Sequence, residues 1–225
     1  MFRDRKSPIQ YGAPQTLIMN AEQFRALIQI GINDSLLEEC LHSDPVPYAF
    51  EPRPVAWREF REEIATTLAI SVSDIRVVGS ARFGFSMKPS RNLATFTPDS
   101  DIDVVIVNSD FFDELWLALL RAAYPRWPNT ERLAGWLNDR QKELYAGYLT
   151  PRGIRVAADI FGEKARPVLQ LRTQWFNALK RAGRYPPRPH SDIRGRLYRT
   201  WQHAELYHAD SLTALQRSLP TRQAR

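Results

Sequence analysis

The stretch Val77-Val78-Gly79-Ser80-Ala81-Arg82-Phe83-Gly84-Phe85-Ser86, followed after a polar spacer by Pro98-Asp99-Ser100-Asp101-Ile102-Asp103-Val104-Val105-Ile106-Val107, decides the fold. Asp74 to Val78 is short, β-branched and runs into Gly79-Ser80, which predicts a strand delivering a turn. Asp101 to Val107 predicts a second, stronger strand. Side chains at i and i+2 of a strand share a face, so Asp101 and Asp103 present two carboxylates together while Ile102 and Val104 turn to the core. Each carboxylate raises the other's pKa. Hard Mg²⁺, with substrate phosphates supplying its remaining oxygen ligands, relieves that repulsion. The turn at Gly79-Ser80 offers a phosphate backbone N–H groups and one hydroxyl, glycine allowing close approach.

Two other readings of the same residues fail. The spacing of Gly79 and Gly84 imitates a Walker phosphate loop, but Phe85 stands where the lysine must be. Asp99, Asp101 and Asp103 imitate the start of an EF-hand, but Val104 occupies the position of its sharply turning glycine. A nucleotide-sugar glycosyltransferase using Asp-x-Asp stays open on the dipeptide alone.

Outward from this stretch the chain reads as alternating helices and strands. Asn20 caps a helix with Gln23 as capping-box partner, and an apolar stripe of Phe24, Leu27 and Ile28 continues past Gly31 to Leu36, Leu37 and Leu41. Pro54 opens a second helix, with Trp57, Phe60, Ile64 and Leu68 at helical spacing. Phe111 to Tyr124 predicts a buried helix and Thr130 to Tyr148 a more polar one. Ile154 to Phe161 predicts a third strand, and Val168 to Arg181 a further helix. After the Pro-rich breaker at 185–189, a last helix is expected from Ser191 or Asp192, its buried stripe running through Ile193, Leu197, Trp201, Ala204, Leu212, Leu215 and Leu219.

Gly-Ser at a strand end, then a strand bearing Asp-x-Asp, resembles the nucleotidyltransferase superfamily with the DNA polymerase β-like fold. That superfamily includes tRNA CCA-adding enzymes, antibiotic nucleotidyltransferases and bacterial cyclic-oligonucleotide synthases. The resemblance covers roughly residues 54 to 165 by order of elements. It implies an α/β fold with a small mixed sheet flanked by helices, here followed by a C-terminal helical segment. It also implies a third carboxylate on a later strand, for which Asp159 in Arg155-Val156-Ala157-Ala158-Asp159-Ile160-Phe161 is the first candidate and Glu163 the reserve. Asp101, Asp103 and Asp159 are then the catalytic and metal-binding residues, holding two Mg²⁺ or Mn²⁺ ions. Gly79, Ser80, Arg82 and Lys88 are the expected substrate-binding residues. The expected reaction moves a nucleoside monophosphate from an NTP to a hydroxyl acceptor, an RNA or DNA 3′-end, a nucleotide or a protein, as in bacterial antiviral defence or toxin systems. A non-catalytic nucleotide or nucleic-acid binding subunit on the same scaffold is the alternative.

Composition sets bounds on these readings. The 225 residues suit one ordinary domain: 1–19 an N-terminal arm, 20–165 the nucleotidyltransferase core with its N-terminal helices, and 166–225 a basic helical region. The net charge of +6 hides a division. Residues 151–225 carry 15 Lys/Arg against 5 Asp/Glu, and the first 150 carry 16 against 20. A basic half of this kind steers polyanions. Arg188, Arg194, Arg196 and Arg199 are candidates to line a groove for triphosphate or acceptor. One cysteine, Cys40, excludes an internal disulfide, and no apolar stretch is long enough for a bilayer, so a cytoplasmic protein with no membrane partner is expected. His203 and His208, five apart, fit no helical metal pair.

Overall fold

The computed structural model describes residues 19–31, 34–123, 131–156, 162–187 and 192–219. It is a mixed α/β structure built on one four-stranded mixed sheet with helices on both faces. The strands are β1 (Ile75–Val78), β2 (Ile102–Val107), β3 (Tyr148–Leu149) and β4 (Ile193–Tyr198), in the order β1-β2-β4-β3. β1 and β2 are antiparallel, β2 and β4 parallel, β3 and β4 antiparallel.

Helix α1 (Ala21–Ile30) begins at the expected capping box: Oδ1 of Asn20 accepts from the Gln23 N–H at 2.9 Å, and Oε1 of Gln23 accepts from the Asn20 N–H at 2.9 Å. α2 (Asp34–Leu37) continues as a π-turn over Glu38–His42. α3 (Pro54–Leu68) starts on its proline and buries Trp57, Phe60, Ile64 and Leu68, the stripe expected of it. A single turn, α4 (Ser80–Phe83), leaves the end of β1. α5 (Ser109–Ala123) and α6 (Glu131–Tyr145) precede β3, α7 (Arg166–Ala182) precedes β4, and α8 (Trp201–Ser218) follows it.

Strand alternation divides the core. Ile75, Val77, Ile102, Val104, Ile106 and Leu197 turn to the face covered by α3, α5 and α7. Val78, Val105, Val107 and Tyr198 turn to the other face and pack with Phe24 and Ile28 of α1 and Leu212 and Leu215 of α8. The side-chain amide of Gln216 donates to the Ile28 carbonyl at 2.7 Å, fastening α8 to α1.

Two expected elements are corrected. Ile193 to Tyr198 is not the first turn of the last helix; it is an inner strand of the sheet, and the helix begins at Trp201. Apolar residues four apart, such as Ile193 and Leu197, satisfy a strand as well as a helix. Gly195 between them settles the choice, because a Cβ there would stand 2.6 Å from Cζ2 of Trp175, so α7 packs directly on the strand backbone. The C-terminal region is therefore woven into the sheet and not a helical appendage. The expected third strand is also absent at its start: Pro151–Val156 forms 3₁₀ turns, with Ile154 buried. The remainder of that segment, 157–161 with Asp159, lies outside the described residues, as does Arg188.

Candidate active site

The site is assembled where β1 ends and β2 and β4 begin. Asp103 faces Val78 across the antiparallel pair and Arg194 across the parallel pair. Residues 101 and 103 of one strand and 192, 194 and 196 of the next project on the same side of the sheet. Ile102 and Val104 are buried on the opposite side, as alternation requires. A cleft of about 1110 Å³ opens over this end of the sheet and is lined by Gly79, Ser80, Lys88, Asp101, Asp103, Arg194 and Arg196 among others.

Gly79 closes β1 with φ 66° and ψ −143°, a conformation that side-chain-bearing residues rarely adopt. This backbone turn brings Ser80 to the cleft beside Asp103, and a Cβ on Gly79 would stand 3.7 Å from Oδ2 of Asp103. The polar spacer after α4 is folded back. Phe85 bridges Thr95, the Ser86 N–H donates to the Ala94 carbonyl at 2.8 Å, and the resulting flap carries Lys88 to the rim.

The charges around Asp103 oppose one another. Burial lifts its carboxyl above the ordinary aspartate value; Lys88, Arg194 and Arg196 pull it down and Asp101 adds to the rise. Asp101 is joined to Arg194, whose Nη1 lies 2.8 Å from Oδ2 of Asp101. Nε of Arg194 lies 3.1 Å from Oδ2 of Asp192, a carboxylate that also receives Arg152 at 3.2 Å. Arg196 has its guanidinium over the rings of Tyr207 at 4.1 Å and Tyr148 at 4.9 Å, so it is held as part of the wall. α8 forms the wall beside it through Tyr207, His208, Asp210, Ser211 and Ala214.

Of the residues the sequence singled out, Gly79, Ser80, Lys88, Asp101 and Asp103 meet at this cleft. Arg82 does not. Its side chain is only 4% exposed and points away, donating to the Glu39 carbonyl at 2.9 Å and to Oγ of Ser43 at 2.8 Å, beside the Glu39 carboxylate at 3.3 Å. It ties α4 to the π-turn and is a structural residue. Glu163 is exposed and pairs with Arg166 at 2.8 Å, away from the cleft. Arg199 pairs with Asp113 at 3.1 Å on the far end of β4. Asp192 is a cleft carboxylate that the sequence does not reveal, because the helix assigned to residues 191 onward hides its place beside Asp101; Asp210 on α8 is another.

Two carboxylates two residues apart at a strand end, with only oxygen donors, suit a hard divalent cation that keeps several positions for water and phosphate. The Asp101 and Asp103 set therefore fits Mg²⁺, with Arg194 as the group a metal must displace from Asp101. Among the described residues no three metal-ligating side chains converge. No protein-family model matches the chain, and no curated protein or solved structure does so either.

Proposed function

We propose that this chain is a Mg²⁺-dependent nucleotidyltransferase of polymerase β-like fold. It transfers a nucleoside monophosphate from an NTP to a hydroxyl acceptor, which is an RNA or DNA 3′-end, a nucleotide or a protein side chain. One observation carries the reading: the Gly79-Ser80 turn faces Asp103 across the β1–β2 pair, in the cleft that also takes in Asp101. A phosphate-binding turn and a carboxylate pair, each weak alone, are useful together when the ligand is a metal-bound triphosphate.

Asp101 and Asp103 would hold the cation. When bound, Mg²⁺ supplies positive charge to the triphosphate oxygens and lowers the pKa of the attacking hydroxyl. The Gly79-Ser80 turn binds the outer phosphates through its backbone N–H groups and the serine hydroxyl. Lys88 and Arg196 place fixed positive charge on the cleft walls, matching charge that develops on the leaving pyrophosphate. In the transfer the acceptor hydroxyl gives its proton to a carboxylate base, for which Asp159 is the proposed group; its oxygen bonds to the α-phosphorus, the bond from that phosphorus to the bridging oxygen breaks, and pyrophosphate leaves with that electron pair. Asp159 remains the proposed third carboxylate from sequence.

A binding module that holds nucleotide without turning it over is favoured by the Asp101–Arg194 ion pair, which neutralises one of the two carboxylates from within the chain. Incubation with each α-labelled NTP, Mg²⁺ or Mn²⁺ and a cellular RNA fraction separates the two. Label in a product made by wild type and lost in Asp101→Asn supports transfer. Mass spectrometry of products from mixed NTPs identifies base and acceptor. The absence of label with every NTP and acceptor sinks the transfer reading, while sugar transferred from a nucleotide-sugar replaces it with a glycosyltransferase.

A further inference from the structure

Arg194 is the residue whose position the sequence does not explain. It belongs to β4, in register beside Asp103, yet its guanidinium extends across the starting ends of β2 and β4 to span Asp101 and Asp192 at 2.8 and 3.1 Å. One planar cation thus joins carboxylates from the residues that immediately precede two neighbouring strands. It also adds a favourable field at Asp103. The side chain is 45% exposed and opens into the cleft, so it has room to turn away from Asp101 without disturbing the core.

We propose that Arg194 is a resident counter-cation that keeps divalent metal out of the Asp101–Asp103 pair until a polyphosphate arrives. On arrival it turns from Asp101 to the phosphate oxygens, for which its bidentate fork is suited. The arginine is a substrate-binding residue. It lowers the affinity of the empty carboxylates for a free cation and raises the affinity of the cleft for a cation already bound to polyphosphate. The result is ordered binding: metal and triphosphate enter together. This inference rests on the nucleotidyltransferase reading for its purpose, while its energetics require only the residues named.

The test uses the full chain with two probes, Mn²⁺ alone and Mg²⁺ with inorganic tripolyphosphate. Wild type, Arg194→Gln and Arg194→Lys are compared by Mn²⁺ electron paramagnetic resonance and by calorimetry, with melting curves to establish that each is folded. Arg194→Gln should bind Mn²⁺ alone about tenfold more tightly than wild type, since a neighbouring cation has been removed. It should bind Mg²⁺–tripolyphosphate about tenfold more weakly, since a charge-assisted contact has gone. Arg194→Lys should keep the low affinity for Mn²⁺ alone, because the charge remains. Unchanged affinity for either probe in Arg194→Gln overturns the proposal, as does Mn²⁺ binding by Arg194→Lys as tight as by Arg194→Gln. Both expected shifts in a protein that transfers no label would uphold the arginine's role and overturn the transfer reading alone.

Discussion

A Cβ placed on Gly79 would stand 3.7 Å from Oδ2 of Asp103, an ordinary van der Waals contact, so the turn that faces the carboxylate is restricted by its backbone and not by space. With φ 66° and ψ −143°, an alanine there is strained although nothing obstructs its methyl. Gly79→Ala should cost about 1–3 kcal/mol of stability, read from the urea midpoint, with the slope unchanged. A cost below about 0.5 kcal/mol would mean that the turn relaxes easily and is not a fixed phosphate cradle.

The turn and the strand after it were legible because their chemistry is local. Val77, Val78 and, Asp103 apart, the run Ile102 to Val107 are β-branched, and Trp57, Phe60, Ile64 and Leu68 keep one helical phase; each pattern has a single reading. β4 was not legible, because Ile193 and Leu197 fit two periods and the deciding contact, Gly195 on Trp175, joins residues twenty positions apart in sequence. The loss of β4 concealed the site residues it carries, Asp192 and the precise place of Arg194. Arg82 was misplaced for a reason the sequence did contain. Two residues along a helix turn through about 200°, so an Arg82 that follows a cleft-facing Ser80 in α4 faces away from the cleft.

Arg82 therefore predicts a stability defect. Its guanidinium satisfies the Glu39 carbonyl, the Ser43 hydroxyl and the Glu39 carboxylate in a buried setting. Arg82→Ala removes three charge-assisted hydrogen bonds and should cost about 2–4 kcal/mol, the half-exposed Glu39 carboxylate and the Ser43 hydroxyl, which also donates to Glu39, keeping the loss below that of a fully buried pair. Melting should fall by roughly 5–15 °C for a chain of this size. Below the transition, Mg²⁺–tripolyphosphate affinity should match wild type. A large loss of that affinity in folded Arg82→Ala would return the residue to the site.

Asp103 predicts the opposite sign. Its carboxyl pKa in the folded chain is raised, chiefly by burial, so ionisation works against the fold. Below the unfolded value of 3.8 the group is protonated in both states and contributes nothing; as pH rises past 3.8 toward the folded value the penalty accumulates, and above it the penalty is constant. Asp103→Asn should therefore be more stable than wild type at pH 7 in EDTA, read as a higher melting temperature. It should also lose the stabilisation that Mg²⁺ and NTP together provide. Equal melting of the two proteins, with and without ligands, would show that Asp103 neither suffers from its site nor serves it.

His208 gives the pH dependence a second, independent component. It lies on α8 between Tyr198 and Tyr207, with ring contacts at 6.2 and 5.5 Å, and its Nε2 is buried without a hydrogen-bond partner among the described residues. Burial, assisted by the charge of Arg196, lowers its pKa from 6.5 to about 4. The imidazole is thus neutral across the physiological range. The stability that goes with neutrality is fully present above 6.5 and is lost as pH falls toward 4, where the folded form at last takes up its proton. At pH 5 the loss amounts to about 2 kcal/mol. His208→Phe cannot be charged, so urea midpoints measured at pH 8, 7, 6 and 5 should show a constant difference from wild type down to about pH 7. Below that the difference should move in favour of the variant by about 2 kcal/mol at pH 5. Parallel curves for the two proteins would mean that His208 takes up its proton as readily in the folded chain as in the unfolded one, and that the wall it forms with Tyr207 is open to water.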